Sequence, residues 1–448
     1  MAGSYAEFVP VVHIVGYSNV APRKAWAIMH HFLGNGRFDM YEKMAKEITC
    51  ATTVLDDPAT AAAEIDRVLN TMMYESRAAY IGISTDIAYA TVSDEQLGTT
   101  IVRSLPLNDA EMQGRVIVEI RDRMQTKSSP IIIVDGGAVR HQCTAEVDGL
   151  VEATKFPTFV TAMGKGAANE TLPTYGGVYG GAGTHPDVKK AVEGADAVFW
   201  LGNYPLDFNT GEFTDNVKEE IIVDFQRFYV KIRSPKYDVE MKGVLQALVQ
   251  DLQKSPLSRA AALKVPWNPY PLHGLKAEGK LTQDYLWTTL GSFFRSGDLV
   301  IGETGTSAFG LCDSKLPVDV TMWNQTAVKE FEGKYDLKPI VFVLNNDGYT
   351  VERLIHGKDA EYNKVPYLDY GALAKALGPD FPSEYYGPVK TCEELTNLLD
   401  NETLAKAECF QMVELILDML DAPANLKMTG AAIDAFNKAV NGKTVQGA

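Results

Sequence analysis

Short runs of apolar residues alternate with longer stretches of helical periodicity along the whole chain. Residues 9–16 and 78–83 are apolar and rich in β-branched side chains, which predicts buried strands. Between them, residues 61–73 carry Ala, Ile, Val, Leu and Met at helical spacing. Strands that alternate with helices are typical of α/β layers built on parallel sheets, so the pattern predicts the α/β class.

The same alternation predicts three domains, as expected for 448 residues. We place the first domain at 1–105, a central α/β domain at 106–255, a linker at 256–280 and a third domain at 281–448. The linker is assigned because prolines crowd that polar stretch. The predicted elements of the later domains are a helix at 108–124, strands at 130–134, 156–161, 197–201, 221–225 and 410–415, and a helix at 431–440.

Composition indicates a soluble globular protein, since 46% of the residues are hydrophobic and 22% are charged. A net charge of −16 argues against nucleic acid and against an anionic membrane as partners, because both need a basic surface. The five cysteines lack the spacing of a zinc site or a disulfide framework. The apolar run at 8–16 is too short to span a bilayer, so we expect a cytoplasmic protein.

The stretch at 345–357 carries the most chemical information. An apolar, β-branched run at 339–344 predicts a buried strand, residues 345–348 (Asn-Asn-Asp-Gly) predict a turn, and residues 349–356 predict the start of a helix. Ligands of open α/β sheets bind beyond the carboxyl ends of the strands. Amide, carboxylate and backbone oxygens are the donors that Mg²⁺ holding a diphosphate requires. An ordinary Asn-Asp-Gly turn remains the alternative interpretation.

Two further segments suggest the same kind of site. The predicted strand at 298–302 is followed by residues 303–310 (Glu-Thr-Gly-Thr-Ser-Ala-Phe-Gly), whose hydroxyls and backbone N–H groups can meet a phosphate. Residues 29–36 contain the adjacent pair His30 and His31, and imidazole moves protons near neutral pH. Each segment alone is also compatible with a Gly-rich turn or with packed histidines.

Taken together, these segments resemble the fungal pyruvate decarboxylases, a family of thiamine-diphosphate-dependent 2-oxo acid decarboxylases. The resemblance follows the order of the family and extends over almost the whole chain. Further matching segments are 2–7, 163–166, 175–179 and 207–211. The resemblance implies three-layer, doubly wound parallel-sheet domains of the thiamine diphosphate enzyme architecture. It also implies thiamine diphosphate and Mg²⁺ as cofactors, and a homodimer or homotetramer.

The resemblance assigns roles to individual residues. Asn346 and the Gly348 carbonyl would be metal ligands. His30, His31 and Glu352 would be catalytic, the histidines relaying protons and Glu352 facing the substrate carboxylate. The cofactor-binding residues would be Thr304, Gly305, Thr306, Ser307 and Val351.

Two departures from the family bear on activity. The family's first domain begins before the segment matched by residues 2–7, and the preceding part carries the glutamate that activates the cofactor. The family also has a Gly-Asp-Gly motif, with a metal-binding aspartate, between the two cofactor loops, and this sequence contains no Gly-Asp-Gly. We therefore expect incomplete first and third domains, an internal deletion near residue 325, and weak cofactor binding.

The expected reaction is the non-oxidative decarboxylation of pyruvate to acetaldehyde and CO₂. Decarboxylases of indolepyruvate or phenylpyruvate share every segment quoted above, so an aromatic 2-oxo acid is an alternative substrate. The other alternative is a catalytically impaired homologue that acts only as an assembly or binding partner. A hydrolase triad is not supported, because residues 305–309 do not form a Gly-x-Ser-x-Gly elbow.

Overall fold

The computed structural model describes the chain except residues 31, 96, 259–264, 271–273, 325–337, 360, 378–381 and 446–448. The described residues form two compact units. The first comprises Met1–Ala110 and Arg140–Cys143, and the second comprises Glu111–Val139 and Thr144–Ala448. Both are α/β with mostly parallel sheets, which confirms the predicted class. The division of the second unit into a central and a third domain stays a prediction.

The first unit is built on a three-stranded parallel sheet in which β3 lies between β1 and β2. Its strands are β1 (Val12–Tyr17), β2 (Ala51–Leu55) and β3 (Ala79–Ser84). Its helices are α1 (Ala2–Ala6), α2 (Val20–Lys24), α3 (Met40–Lys46), α4 (Pro58–Glu75) and α5 (Thr85–Ala88).

Helix α4 contains the helical stretch predicted at 61–73, and the local sequence determines where it begins. The Asp57 side chain accepts a hydrogen bond from the Ala59 amide at 2.9 Å, and Pro58 takes the first helical position. Val68 on α4 is fully buried in a cluster with Ile81 of β3. The apolar face of the helix thereby covers one face of the sheet.

The larger sheet of the second unit has seven strands in the order β10-β9-β8-β7-β4-β5-β6. Neighbours from β6 to β8 are parallel, whereas β9 and β10 are added antiparallel. The strands are β4 (Pro130–Val134), β5 (Thr158–Val160), β6 (Tyr175–Val178), β7 (Ala197–Leu201), β8 (Ile222–Phe225), β9 (Val230–Ile232) and β10 (Lys236–Tyr237). The helices of this stretch are α6 (Ala110–Thr126), α7 (Gly136–Arg140), α8 (Thr144–Thr154), α9 (Pro186–Glu193), α10 (Asp207–Thr210) and α11 (Met241–Lys254).

Two smaller parallel sheets follow in the same unit. One pairs β11 (Leu299–Gly302) with β12 (Thr321–Asn324). The other has the order β13-β15-β14, with β13 (Ile340–Asn345), β14 (Ser383–Val389) and β15 (Phe410–Ile416). The helices are α12 (Gln283–Phe293), α13 (Thr306–Gly310), α14 (Thr350–His356), α15 (Tyr370–Leu377), α16 (Cys392–Leu399), α17 (Glu402–Lys406) and α18 (Ala424–Val445).

Strands β4 and β7 lie where continuous apolar runs predicted them, and both are buried along their whole length. In the described part of the predicted linker, Val265 and Tyr270 are buried, and the Trp267 indole N–H donates to the Gly176 carbonyl at 2.9 Å. This stretch is therefore packed within the second unit. The internal deletion predicted near 325 lies outside the described residues. Among the helices that are described, none combines the length and apolarity needed to cross a bilayer.

Candidate cofactor-binding site

Two strand ends of the second unit open into one cavity of about 830 Å³. β11 ends at Gly302 and leads into α13, and β13 ends at Asn345 and leads through a turn into α14. Residues of both connections line the cavity. The carboxyl ends of parallel strands are where α/β proteins bind ligands, and the volume lies in the range of small-molecule sites.

Much of the cavity wall is apolar, and strands of two sheets contribute to it. Within the described residues β11 pairs only with β12 and β13 only with β15, so each presents an open edge. Residues of both strands line the cavity over most of their length. The apolar wall is completed by Leu290, Phe293, Phe294 and Leu311.

Asn346, a predicted metal ligand, is held in one orientation on the cavity wall. The side chain is only 8% exposed, and its Nδ2 donates to the Thr350 hydroxyl at 2.7 Å. That hydroxyl in turn donates to the Met419 carbonyl at 2.8 Å. One N–H of Nδ2 is bonded to Thr350, and Oδ1 is the acceptor atom of this amide that could meet a cation. Gly348, the other predicted metal ligand, also lines the cavity.

Asn345, the last residue of β13, is held by Glu414, a residue that was not identified from the sequence. Asn345 donates through Nδ2 to Oε1 of Glu414 at 2.6 Å, and Tyr385 donates to the other carboxylate oxygen. Glu414 is buried on β15, the central strand of its sheet. Burial, followed by the nearby Glu414 carboxylate, raises the pKa of Tyr385 well above its ordinary value. The phenol therefore stays protonated and remains a donor.

Three of the four predicted cofactor-binding residues in the loop after β11 line the cavity. Gly305, Thr306 and Ser307 line the cavity, and Thr306 is buried. The Ser307 hydroxyl donates to the Glu303 carbonyl at 3.0 Å, which leaves its oxygen able to accept. Thr304 is exposed and is not among the residues that line the cavity.

The remaining predicted residues are distributed over both units. Val351 lines the cavity, whereas Glu352 is half-buried on α14 and does not line it. His30 is exposed in a turn between α2 and α3 of the first unit. His31 lies outside the described residues. The structure thus brings Gly305, Thr306, Ser307, Asn346, Gly348 and Val351 around one cavity.

The donors at this cavity fit a Mg²⁺ ion that shares a diphosphate. Asn346 Oδ1 and the Gly348 carbonyl are neutral oxygen donors, and the exposed Asp347 lies between them in sequence. In the described part of the chain, no group of three or more His, Cys, Asp or Glu side chains could hold a metal. The oxygens of a bound diphosphate would complete the coordination of such a cation, which is the usual way Mg²⁺ meets phosphates in proteins.

Comparison with known proteins agrees with these observations. Residues 117–252 match the family described as the central domain of thiamine pyrophosphate enzymes. A pyruvate decarboxylase of Aspergillus terreus is 35% identical over 474 aligned positions, which cover 96% of this chain and 82% of the relative. Pyruvate decarboxylase isozyme 2 of Saccharomyces cerevisiae is 35% identical, covering 95% of this chain and 83% of the relative. The enzyme of Candida albicans is also 35% identical, with 95% and 82% covered.

Similarity of this extent, with the two loops meeting at one cavity, identifies the fold and the family together. The chain belongs to the pyruvate decarboxylase family of thiamine diphosphate enzymes, the carboxy-lyases that decarboxylate 2-oxo acids.

Proposed function

We propose that this chain decarboxylates pyruvate to acetaldehyde and CO₂ with thiamine diphosphate and Mg²⁺ as cofactors. The observation that carries the proposal is 35% identity to a pyruvate decarboxylase over 96% of the chain. A cavity bordered by both predicted cofactor loops supports it.

In this proposal Asn346 and the Gly348 carbonyl would hold Mg²⁺, and Gly305, Thr306 and Ser307 would contact the diphosphate. When bound, thiamine diphosphate would supply a nucleophilic carbon for the 2-oxo acid and a cationic thiazolium ring as the electron sink for loss of CO₂. The apolar wall formed by residues such as Phe293 would exclude water from the reacting groups.

Proton transfer would fall to Glu352, His30 and His31. A positioned proton donor or acceptor contributes about 10²–10⁴ in rate. Thr304 and Val351 complete the proposed cofactor contacts, with Val351 on the cavity wall. We further propose a cytoplasmic homodimer or homotetramer that acts on a small 2-oxo acid and binds neither nucleic acid nor membrane.

The test is a turnover assay that detects CO₂ release and aldehyde formation from pyruvate and from phenylpyruvate, with thiamine diphosphate and Mg²⁺ present. We expect the higher kcat/KM with pyruvate. A preference for phenylpyruvate or indolepyruvate would replace pyruvate as the substrate while leaving the reaction in place. Cofactor binding without turnover of any 2-oxo acid would favour the assembly partner.

Cofactor affinity separates the enzyme from the impaired homologue. Both proposed metal ligands are uncharged, so neither of them balances the charge of the cation directly. We therefore expect weaker binding of thiamine diphosphate and Mg²⁺ than a site with a carboxylate among its metal ligands would give. Micromolar affinity in a calorimetric titration would contradict this expectation and would favour the active enzyme.

A further inference from the structure

A buried arginine lies directly beneath the turn that carries Gly348. Arg353 on α14 is 3% exposed. Its guanidinium donates to three backbone carbonyls, those of Lys358 at 2.9 Å, Asp347 at 3.3 Å and Asn363 at 3.3 Å. A planar guanidinium has five N–H donors in a rigid arrangement, so it can bind several fixed acceptors at once. The ammonium group of a lysine, with three donors on one nitrogen, is less suited to this.

Asn363 completes the support of the turn. It is fully buried at the end of a short 3₁₀ turn, Glu361–Asn363. Its carbonyl accepts both from Arg353 and from the Tyr349 amide, the latter at 3.0 Å. Gly348 packs so tightly here that a Cβ placed on it would lie 2.0 Å from the Asn363 carbonyl oxygen. Its φ of 131° also favours glycine.

These contacts fix the direction of the Gly348 carbonyl. In a planar trans peptide the N–H and the C=O point in opposite directions. The Tyr349 N–H points at Asn363, so the carbonyl of the same peptide, which belongs to Gly348, points away from Asn363. Arg353 holds the preceding carbonyl, that of Asp347, and thereby fixes the neighbouring peptide plane. Gly348 itself lines the cavity.

We propose that Arg353 and Asn363 are positioning residues that hold the peptide planes on both sides of Gly348, so that the Gly348 carbonyl is presented to a divalent cation in the cavity. This inference rests on the proposed function for the identity of the cation. The orientation of the turn, by contrast, is a property of the protein without its cofactors.

The first experiment uses the cofactor-free, full-length protein. Amide hydrogen exchange is measured by mass spectrometry on peptides that cover residues 345–350, in wild type and in Arg353→Met. We expect exchange at Tyr349 to be at least about tenfold faster in the variant, because its acceptor loses the support of the guanidinium. The matched control is Arg295→Met, since Arg295 also donates to a backbone carbonyl, that of Ala405 at 3.1 Å, but at an exposed site. Exchange unchanged in Arg353→Met would overturn the proposal.

The second experiment titrates the same proteins with Mg²⁺ at a fixed concentration of thiamine diphosphate. We expect Arg353→Met to weaken Mg²⁺ binding at least about tenfold, Arg353→Lys to fall between that variant and wild type, and Arg295→Met to match wild type. Equal Mg²⁺ affinity in Arg353→Met and wild type would overturn the positioning role.

The proposed function and the positioning role of Arg353 can be refuted independently of each other. A wild-type protein that binds neither cofactor overturns the proposed function, and the exchange experiment then decides alone whether Arg353 holds the turn. If Arg353→Met does not fold, the comparison uses Arg353→Lys, which keeps the charge and shortens the reach. Wild-type exchange in a folded Arg353→Lys variant that also binds Mg²⁺ like wild type would then overturn the proposal.

Discussion

At the scale of single residues, Thr350 holds the side-chain amide of Asn346 through a hydrogen bond. Its hydroxyl receives the amide N–H of Asn346 and donates onward to the Met419 carbonyl. Both residues line the cavity, and Thr350 is the one that orients the amide of Asn346. Groups that orient a metal ligand in this way commonly affect metal affinity about 10- to 100-fold.

The substitution Thr350→Val should weaken Mg²⁺-dependent binding of thiamine diphosphate by about 10- to 100-fold. The reason is that a methyl group cannot accept the hydrogen bond from the Asn346 amide. Calorimetric titration measures the effect. Thr154→Val is the control, since the Thr154 hydroxyl also donates to a backbone carbonyl, that of Leu150 at 2.8 Å, on α8. Equal affinities in Thr350→Val and wild type would show that the Asn346 amide needs no such support.

Asp313 should make stability depend on pH. Burial raises the pKa of this carboxyl to about 7 from an ordinary 3.8, with Lys165 opposing the shift. The folded protein thus keeps a proton that the unfolded chain releases near pH 4. Folding takes up a proton between these values, so the free energy of unfolding falls as the pH rises from about 4 to about 7, by at most about 1.4 kcal/mol per pH unit.

Urea denaturation at a series of pH values would measure this dependence. Asp313→Asn cannot ionise, so its curve should be flatter between about pH 4 and pH 7. The stability difference between variant and wild type should shift in favour of the variant over this range and stay constant above about pH 7. Parallel curves for the two proteins would contradict the raised pKa.

At the scale of elements, one buried carboxylate joins strands and loops of the seven-stranded sheet. Asp135 follows β4 and accepts from the Thr161 hydroxyl at 2.6 Å, the Asn209 amide at 2.6 Å and the Trp200 indole at 3.2 Å. The backbone amides of Gly136 and Tyr204 also donate to it. Burial raises the pKa of Asp135 above its ordinary value, and the hydrogen bonds from Thr161, Tyr204, Asn209 and Gly136 oppose this shift. The carboxylate thereby connects the ends of β4, β5 and β7.

Asp135→Ala should lower the free energy of unfolding by about 3–5 kcal/mol, because it leaves several buried donors without an acceptor. Urea denaturation followed by tryptophan fluorescence measures the loss. Asp196→Ala is the matched control, since Asp196 accepts from the backbone amides of Ser128 and Ser129 at 2.7 Å, but at the surface. The control should lose only about 1 kcal/mol, and a similar loss in both variants would refute the role of burial.

The elements that could be predicted from the sequence are those determined by local pattern. β4 and β7 are continuous apolar runs, and the turn after β13 is a run of Asn, Asp and Gly. The supports of that turn could not be predicted in the same way. Glu414 lies 69 positions from Asn345, and only the parallel pairing of β13 with β15 brings them together. Arg353 and Asn363 meet because the chain folds back after α14.

At the scale of the whole molecule, the predicted homo-oligomer needs a surface that two copies can share. The first unit exposes several large apolar side chains, namely Trp26, Ile28, Leu33, Tyr89 and Leu97. Exposed apolar side chains of this size are costly in water and favour protein–protein contact. We therefore expect part of this surface to be covered in the oligomer.

Sedimentation of the native protein should give two or four copies of the 49.1 kDa chain. Ile28→Asp, at a side chain that is 78% exposed, should shift the mass towards one copy, because a charge would be buried in the interface. Val118→Asp on α6, 68% exposed in the second unit, is the control and should leave the mass unchanged. A wild-type protein that sediments as one copy would contradict the predicted assembly.

The open edges of β11 and β13 have a consequence for how the protein behaves at high concentration. Within the described residues, each of these strands has one side that is not paired with another strand. Unpaired strand edges are templates on which other polypeptides can add, as happens in aggregation and domain swapping. Turbidity should therefore grow with protein concentration. It should diminish when a ligand fills the cavity that β11 and β13 line. Storage with thiamine diphosphate should then keep the protein in solution longer than storage without it.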